Sequence, residues 1–576
     1  MSLDGKWREA IRVREMIRTA VMSICMAILP VRVFSYPLPF TSDAFQSPID
    51  FEISLAGNFG EPRPHHFHGG LDIRTAGVEG KHVYAIADGY VSRITVGKDG
   101  FGYAIYITHP TGHTSVYCHL KQFSPRIKAA LRRYQYSHHT SEADARLTPL
   151  DVPVSRGQLI ALSGNTGHST APHLHLEVHD TRTGNMLDPY SMLNDCIQDS
   201  VPPQLHGVMA IPLGGTFGGS TQPSTFDPQN ALLTAWGKVG FAAWADDYMQ
   251  GAYNHYGVSE TLLYADGQTV FHSLVDNIPV SLNRMVNSWG CYDYWLHHRR
   301  WYMKSYIEPG NTLSCLQANK EHGVIDFNEQ RDYLLEYVLR DFKGNESHYT
   351  CTIHAMPPSA VKQSGQNTAK QPLLRWNRTN SYSMPGMQLV VPYGLVTTHR
   401  ALQPRHLRQQ GAWSDVYQFS SVSLPLMADA WLSIYAHRQA SDNVVDHFDP
   451  TKLYITNEQG RYLGGDFNNG WVTGRIRELG SSYRLAYDDV PPSITPIALN
   501  GHRLLLNITD GSSGIASWTA TVDGRFIVFD AIEKTTTYAC ELRESWLQPQ
   551  QREHHLHFEA TDNRRNTQAY DVAFTY

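Results

Sequence analysis

One segment of this chain alternates strictly between polar and apolar positions: His173-Leu174-His175-Leu176-Glu177-Val178-His179. Period-two alternation predicts a strand with one buried face. Leu174, Leu176 and Val178 would point into a core, and His173, His175 and Glu177 would share the opposite face. Upstream lies a segment from Gly157 to Pro172. Its Gly164 and Gly167 sit in a turn-rich loop, Ser163 to Thr170, which predicts a backbone able to come close to a bound peptide. Further upstream, DGYVSRITVGKDGFGYAIYITHPTGHTSVYCHL reads as strand, turn, strand, turn, strand. The turns are Asp88-Gly89, Asp99-Gly100 and Pro110-Thr111-Gly112. This unit delivers His119 at a strand end, with Cys118 pointing the other way into the core.

The later chain repeats itself. DSVPPQL, from Asp199, and DDVPPSI, from Asp488 to Ile494, are near copies, each opening a module with a stiff proline pair. Each module then shows a strand-turn signal, LYADGQTVF at Leu263 and ATVDGRFIVF at Ala520, and ends in LRDFKGNESHYTCTI or FEATDNRRNTQAYDVAF. Short strands between such turns predict immunoglobulin-like or fibronectin-like sandwiches. Pro357 to Gln371 is polar and reads as a linker, and Trp413 to Tyr487 as a further β-module. The predicted fold is mainly β: an antiparallel-sheet domain over 36–198, then three small β-sandwich-like modules. These span 199–356, 357–487 (with the linker) and 488–576, and they carry no recognisable site chemistry.

A chain of 576 residues is long enough for several domains. Charged residues make up only 18%, beside 31 tyrosines and 12 tryptophans, which suits β-rich extracytoplasmic modules. A net charge of -6 without lysine-arginine runs argues against nucleic acid as a partner. Residues 1–35 read as a secretory signal peptide. Arg18 supplies the positive end, Ala20 to Val31 the apolar core and Val33-Phe34-Ser35 a cleavage site. The apolar run is too short for a membrane span, and no later segment is apolar enough for one. The fifteen residues before Met16 are charged, which makes Met16 an alternative start. Cys25 lacks a lipoprotein context. Of seven cysteines, Cys291 and Cys315 are the pair most suspected of bridging, since they share a module and an oxidising compartment permits it. Connectivity is not legible from sequence.

The candidate chemistry lies in HFHGGLD and HLHLEVHD. The first sets His68 and Asp72 four residues apart, and the second sets His173 and His175 two apart. Two imidazoles and one carboxylate make a three-ligand zinc site with one open position, which suits a hydrolytic zinc. Spacing alone is weak evidence in a chain with 29 histidines. HxxxD recurs at His272/Asp276 and His322/Asp326, and HxH at His66/His68 and His555/His557. His555-Leu556-His557-Phe558-Glu559 lacks both a glycine-rich loop before it and a nearby HxxxD, so it reads as an alternating strand of a β-domain. The absence of HExxH argues against a zincin with a glutamate base.

Together, FGEPRPHHFHGGLDI, TSVYCHL, SGNTGHSTAP and HLHLE resemble the lysostaphin/LytM-type zinc endopeptidases over the region from Pro37 to Leu193. The resemblance implies His68, Asp72 and His175 as ligands of one zinc ion, and His173 and His119 as the two non-ligand catalytic histidines. Members of that family cut peptide bonds in bacterial cell-wall peptides. Their final-strand motif usually has Phe where this chain has Leu176, a swap that keeps an apolar core side chain. His173 is expected to act as the base. His119 is expected to donate to the oxyanion or to share the proton traffic. Glu177 either fixes a ring orientation or simply faces solvent. His65, His66, His168 and His179 are expected to line the groove or face solvent. A polar insertion from about Lys121 to Pro149 is expected to reshape one groove wall.

The resulting expectation is a secreted or periplasmic zinc endopeptidase acting on stem or cross-bridge peptides of peptidoglycan. Its C-terminal modules would contact a cell-surface glycan or protein, or restrict access to the groove. The rivals are a peptidase for glycine-rich proteins and a non-catalytic binding or activator protein on the same fold. The latter typically lack metal ligands that this chain keeps.

Overall fold

A computed structural model describes residues 44–228, 232–358, 371–437, 448–532 and 534–576. The expected signal segment, with Met16 and Cys25, and most of the linker after Pro357 lie outside the described residues. Among the described residues no helix is long and apolar enough to cross a membrane.

Alternation builds the first domain as predicted. The His173–Asp180 strand lies between Gly70–Arg74 and His113–Cys118, antiparallel to both. The sheet continues outward through Leu55–Gly57 on one side and through Ala104–Thr108, Gly89–Val96 and Ala143–Arg146 on the other. Leu174, Leu176 and Val178 are wholly buried. Each contributes roughly 1.5–3 kcal/mol by leaving water. The opposite face is enclosed too: His175 and Glu177 are 6% and 4% exposed. Cys118 is buried with Ala104 and Val116.

The insertion after Lys121 is built around one element. It folds into a helix, Pro125–His138, with proline in its first turn and His139 closing it at φ 50. Ile127, Ala130 and Leu131 are spaced to share one helix face, and all three are buried. The helix docks on the last module. Arg132 meets Asp530 at 2.8 Å, Lys128 pairs with Glu544, and the Tyr136 and His139 rings pack on Phe526.

The later chain is β-rich throughout. In the first module the strand Leu233–Asp246 pairs with five others, one of them (Glu346–Ala355) in parallel, and so joins both layers. Gly237 sits within it at φ +71, a bend that a side chain would strain. The second module packs a five-stranded against a four-stranded sheet, and the third packs two four-stranded sheets. The expected Cys291–Cys315 bridge is absent. Both thiols are free, because Cys291 packs beside Met209, Ala242 and Tyr302 while Cys315 belongs to a different cluster.

The first domain and each module meet through specific contacts. Met186–Leu187 extends the first domain's sheet onto Asn277–Ile278, and Phe59, Phe67 and Met186 share a core with Phe271 and Trp289. The first and second modules join where the Gly310 amide donates to the Thr397 carbonyl at 2.8 Å and Arg284 to the Leu426 carbonyl at 2.9 Å. The second and third join where Lys452 donates to the Arg564 carbonyl at 2.8 Å and Arg564 to the Gly465 carbonyl at 3.0 Å. The Pro125–His138 helix joins the first domain to the third module.

Candidate metal centre

Strand register brings the site together. His175 stands directly opposite Asp72 in the antiparallel pair. His68 enters from the hairpin just before that strand. The two glycines between His68 and Leu71 are required by packing: a Cβ on Gly69 would lie 2.4 Å from Glu177 Oε1, and one on Gly70 2.1 Å from the Leu176 carbonyl.

Three atoms converge. His68 Nε2 lies 3.0 Å from His175 Nδ1 and 3.0 Å from Asp72 Oδ1, and His175 Nδ1 lies 2.8 Å from Asp72 Oδ1. The outer ring nitrogens fix the tautomers of the neutral rings. His68 Nδ1 donates to the Asn58 carbonyl at 2.6 Å, and His175 Nε2 donates to Glu177 Oε1 at 2.9 Å. As neutral rings, His68 and His175 therefore aim lone pairs at each other and at a carboxylate oxygen. Three acceptors meeting in a buried space call for a cation, and this group can hold a metal ion. Burial, only partly offset by Asp72, brings the His68 imidazole down to about 4. Burial also opposes charging of His175, but hydrogen bonds to Asp72 and Glu177 outweigh it and raise that ring to about 9. Without a metal, a proton thus sits between His175 and Asp72.

The surrounding contacts are specific. Arg63 donates to Asp72 Oδ2 at 2.7 Å, leaving Oδ1 for the cluster. Glu177 also takes a hydrogen bond from His179 Nε2 at 2.6 Å. Glu177 is thus a buried bridge between two imidazoles, not a solvent-facing carboxylate. His173 is half-buried. Its Nδ1 donates to the Ala171 carbonyl at 2.8 Å, and its Nε2 lies 3.2 Å from Asp72 Oδ1. The His119 ring lies 4.9 Å from that of His173, and its Nδ1 donates to the Thr166 carbonyl at 2.8 Å. Burial first, then the neighbouring His175 and His173, lower His119 to about 3, so it is neutral near pH 7. A neutral ring protonated at Nδ1 offers Nε2 as an acceptor. Of the two roles expected of His119, that tautomer suits a share in the proton traffic. His119 also holds φ +59, a conformation costly for a non-glycine residue, fixed by its amide donating to the Phe101 carbonyl at 2.9 Å.

Gly164 and Gly167 approach their own chain. A Cβ at either would come within 2.5 Å of the Lys121 amide or within 2.3 Å of the Gly102 amide. His66 and His168 are exposed, and His65 meets the Tyr292 hydroxyl at 3.2 Å. The other HxxxD and HxH pairs assemble nothing comparable among the described residues. His272 pairs with Glu260, and His557 with Asp571 on an outer strand. Sequence reading missed Asn58 and Arg63. Asn58 acts through a backbone carbonyl, which leaves no residue signature, and Arg63 lies in a hairpin whose fold alone turns it to Asp72.

Residues 66–136 match the model of peptidase family M23, and residues 371–488 that of a Zu5-like domain. The M23 match spans His68, Asp72 and His119, and ends before the His173–Asp180 strand. The chain is 32% identical over 120 residues to an uncharacterized metalloprotease of Haemophilus influenzae, covering 21% of this chain and 19% of that protein. It is 31% identical over 125 residues to the DD-carboxypeptidase/endopeptidase Mpg of Neisseria meningitidis serogroup B, covering 22% of each. It therefore spans about a fifth of the length of these curated relatives. Among solved structures, the catalytic domain of lysostaphin from Staphylococcus simulans aligns over 25% of this chain and 92% of its own, at 23% identity and TM-score 0.19. A zinc containing peptidase from Vibrio cholerae aligns over 26% of this chain and 39% of its own, at 27% identity and TM-score 0.20. The family match thus falls on the segment that supplies His68, Asp72 and His119, and over residues 66–136 the chain is similar to peptidase family M23.

Proposed function

We propose that this protein is a zinc-dependent endopeptidase that hydrolyses peptide bonds in the stem or cross-bridge peptides of peptidoglycan, in the cell envelope or outside the cell. The observation that carries this reading is the convergence of His68, Asp72 and His175 beside the imidazoles of His173 and His119. His68 Nε2, Asp72 Oδ1 and His175 Nδ1 would hold the ion. Bound there, zinc supplies Lewis acidity toward a peptide carbonyl and makes a water acidic enough to ionise near neutral pH.

The chain's own groups do the rest. His173 Nε2, 3.2 Å from Asp72 Oδ1 at the half-exposed edge of the cluster, is placed to take a proton and return it to a leaving amine. His119, neutral and anchored on the Thr166 carbonyl, offers a second acceptor for the same proton. Arg63, Asn58 and Glu177 hold the ligands in orientation. Two named relatives, a metalloprotease and a DD-carboxypeptidase/endopeptidase, support a peptidase.

Purified peptidoglycan incubated with the protein should release new peptide-cleaved fragments, read by mass spectrometry. They should vanish with a chelator and in His68→Ala. Zinc-loaded protein that leaves peptidoglycan intact but cuts a glycine-rich protein would move the substrate to the rival reading.

A further inference from the structure

The two repeated modules carry a second chemistry. Asp199 opens DSVPP, Asp247 follows the strand Leu233–Asp246, and Asp341 opens the last hairpin turn of the first module. These residues lie far apart in sequence, yet one carboxylate oxygen from each falls within 4.8 Å of the others. The turn commits Asp341 to this geometry: it accepts from the Lys343 amide at 2.7 Å, the Asn345 amide at 2.9 Å and the Asn345 side chain at 2.7 Å.

Clusters of acids are common, but this one contains an unusual member. Asp247 is 0% exposed, and neither of its oxygens has a hydrogen-bond partner. The Tyr248 amide is near but outside hydrogen-bonding geometry. Asp199 Oδ2 is likewise buried and bare, as is the nearby Tyr190 hydroxyl. Burial first, then Asp341 and Asp199, push the Asp247 carboxyl up to about 9. Left alone, the group must keep a proton at neutral pH. Desolvating a carboxylate with no donor around it is costly, and a cation removes that cost.

We propose that Asp199, Asp247 and Asp341 bind a calcium ion at the seam between the first domain and the first module. The donors are all oxygens, with no imidazole or thiolate among them, which selects a hard divalent cation. They come from three separate segments. That suits calcium's six to eight ligands at irregular angles better than the strict octahedron of magnesium. The seam is already engaged from both sides: Lys343, within the Asp341 turn, donates to the Asn194 carbonyl at 2.6 Å.

The last module repeats the construction. Asp488 opens DDVPP, Asp510 follows the strand Arg503–Thr509, and Asp562 opens the final turn. Asp562 accepts from the Arg564 amide at 2.7 Å, the Asn566 amide at 2.8 Å and the Asn566 side chain at 2.7 Å, matching Asp341 bond for bond. In that copy no buried carboxylate oxygen lacks a hydrogen-bond partner among the described residues, so the assignment rests on the first triad.

Calcium there would steady the candidate metal centre. Asp247 and Tyr256 exchange backbone hydrogen bonds at 2.9 and 3.0 Å, closing the loop between them. That loop holds the first strand through Tyr256 to the Leu55 carbonyl at 3.0 Å and Asn254 to the Ala56 carbonyl at 2.5 Å. Gly257 exchanges two hydrogen bonds with the Asn58 side chain, and the Asn58 carbonyl orients His68.

The test is calorimetric titration of calcium into the zinc-loaded full chain depleted of calcium, with melting curves beside it. Saturable binding and a higher Tm are expected. Asp247→Asn should take up one ion fewer and lose the Tm gain. Asp199→Asn, at a less buried position, should weaken binding about tenfold or more and serves if Asp247→Asn fails to fold. Absence of heat and of Tm gain up to about 10 mM calcium, beyond the weak end of extracellular calcium modules, would overturn the proposal. So would an unchanged ion count in Asp247→Asn. Magnesium matching calcium in Tm gain would overturn the choice of ion. None of these readouts depends on peptidase activity.

Discussion

Replacing Glu177 by glutamine tests how the metal centre is held. The carboxylate is 4% exposed and takes hydrogen bonds from His175 at 2.9 Å and His179 at 2.6 Å. Burial favours its neutral form, yet those two imidazoles hold it well below the usual carboxylate range. Glutamine keeps the shape but has one acceptor oxygen, so one of the two ring N–H groups must face an amide nitrogen. A hydrogen bond to a charged group is worth about 1.5–3 kcal/mol. Part of that loss falls on His175, whose tautomer and basicity the carboxylate sets. Outer partners of this kind are typically worth 10–100-fold in metal affinity, or about 1.4–2.7 kcal/mol. Zinc affinity of Glu177→Gln should therefore drop by about that factor in competition with a chromogenic chelator. The melting curve of the zinc-free protein checks that the fold survives. Affinity within about twofold of wild type, in a folded variant, would show that Glu177 does not set the His175 ring.

Four further outcomes follow from the geometry. His173→Ala should keep zinc stoichiometry and lose about 10²–10⁴-fold in kcat, since it removes a proton acceptor and no ligand; loss of zinc would make it a ligand instead. In the zinc-free protein His175 sits at about 9, above its ordinary 6.5. Its contribution to stability is full below about 6.5 and is lost as pH rises toward 9. Thermal melts should show that decline, and a flat profile contradicts it. Across the same window zinc displaces the His175 proton, so its apparent Kd should fall about tenfold per pH unit. Leu176→Ala opens a void at a wholly buried position and should cost about 2–5 kcal/mol in denaturant melts; a smaller loss would mean that the sheet collapses around it.

Local periodicity was enough to read much of this protein. Alternation over His173–His179 named the core side chains and put three polar groups on one face, because adjacent Cβ atoms point to opposite sides of a strand. The HFHGGLD spacing was equally local. It needs glycine at Gly69 and Gly70, where any Cβ would strike Glu177 or the Leu176 carbonyl. The repeated DxVPP openings marked the modules, since a proline pair stiffens the chain wherever it falls. Other features needed the folded chain. The register that sets His175 across from Asp72 depends on a partner strand a hundred residues away. The helix at Pro125–His138 hid its apolar stripe in a polar segment, and only the folded chain buries that stripe and brings Arg132 to Asp530 of the last module. Cys291 and Cys315 share a module but lie in different clusters, which proximity in sequence does not reveal. Asn58 and Asp247 are ordinary residues in the sequence. One orients His68 through a carbonyl and the other is buried with no hydrogen-bond partner, and both depend on what long-range packing places beside them.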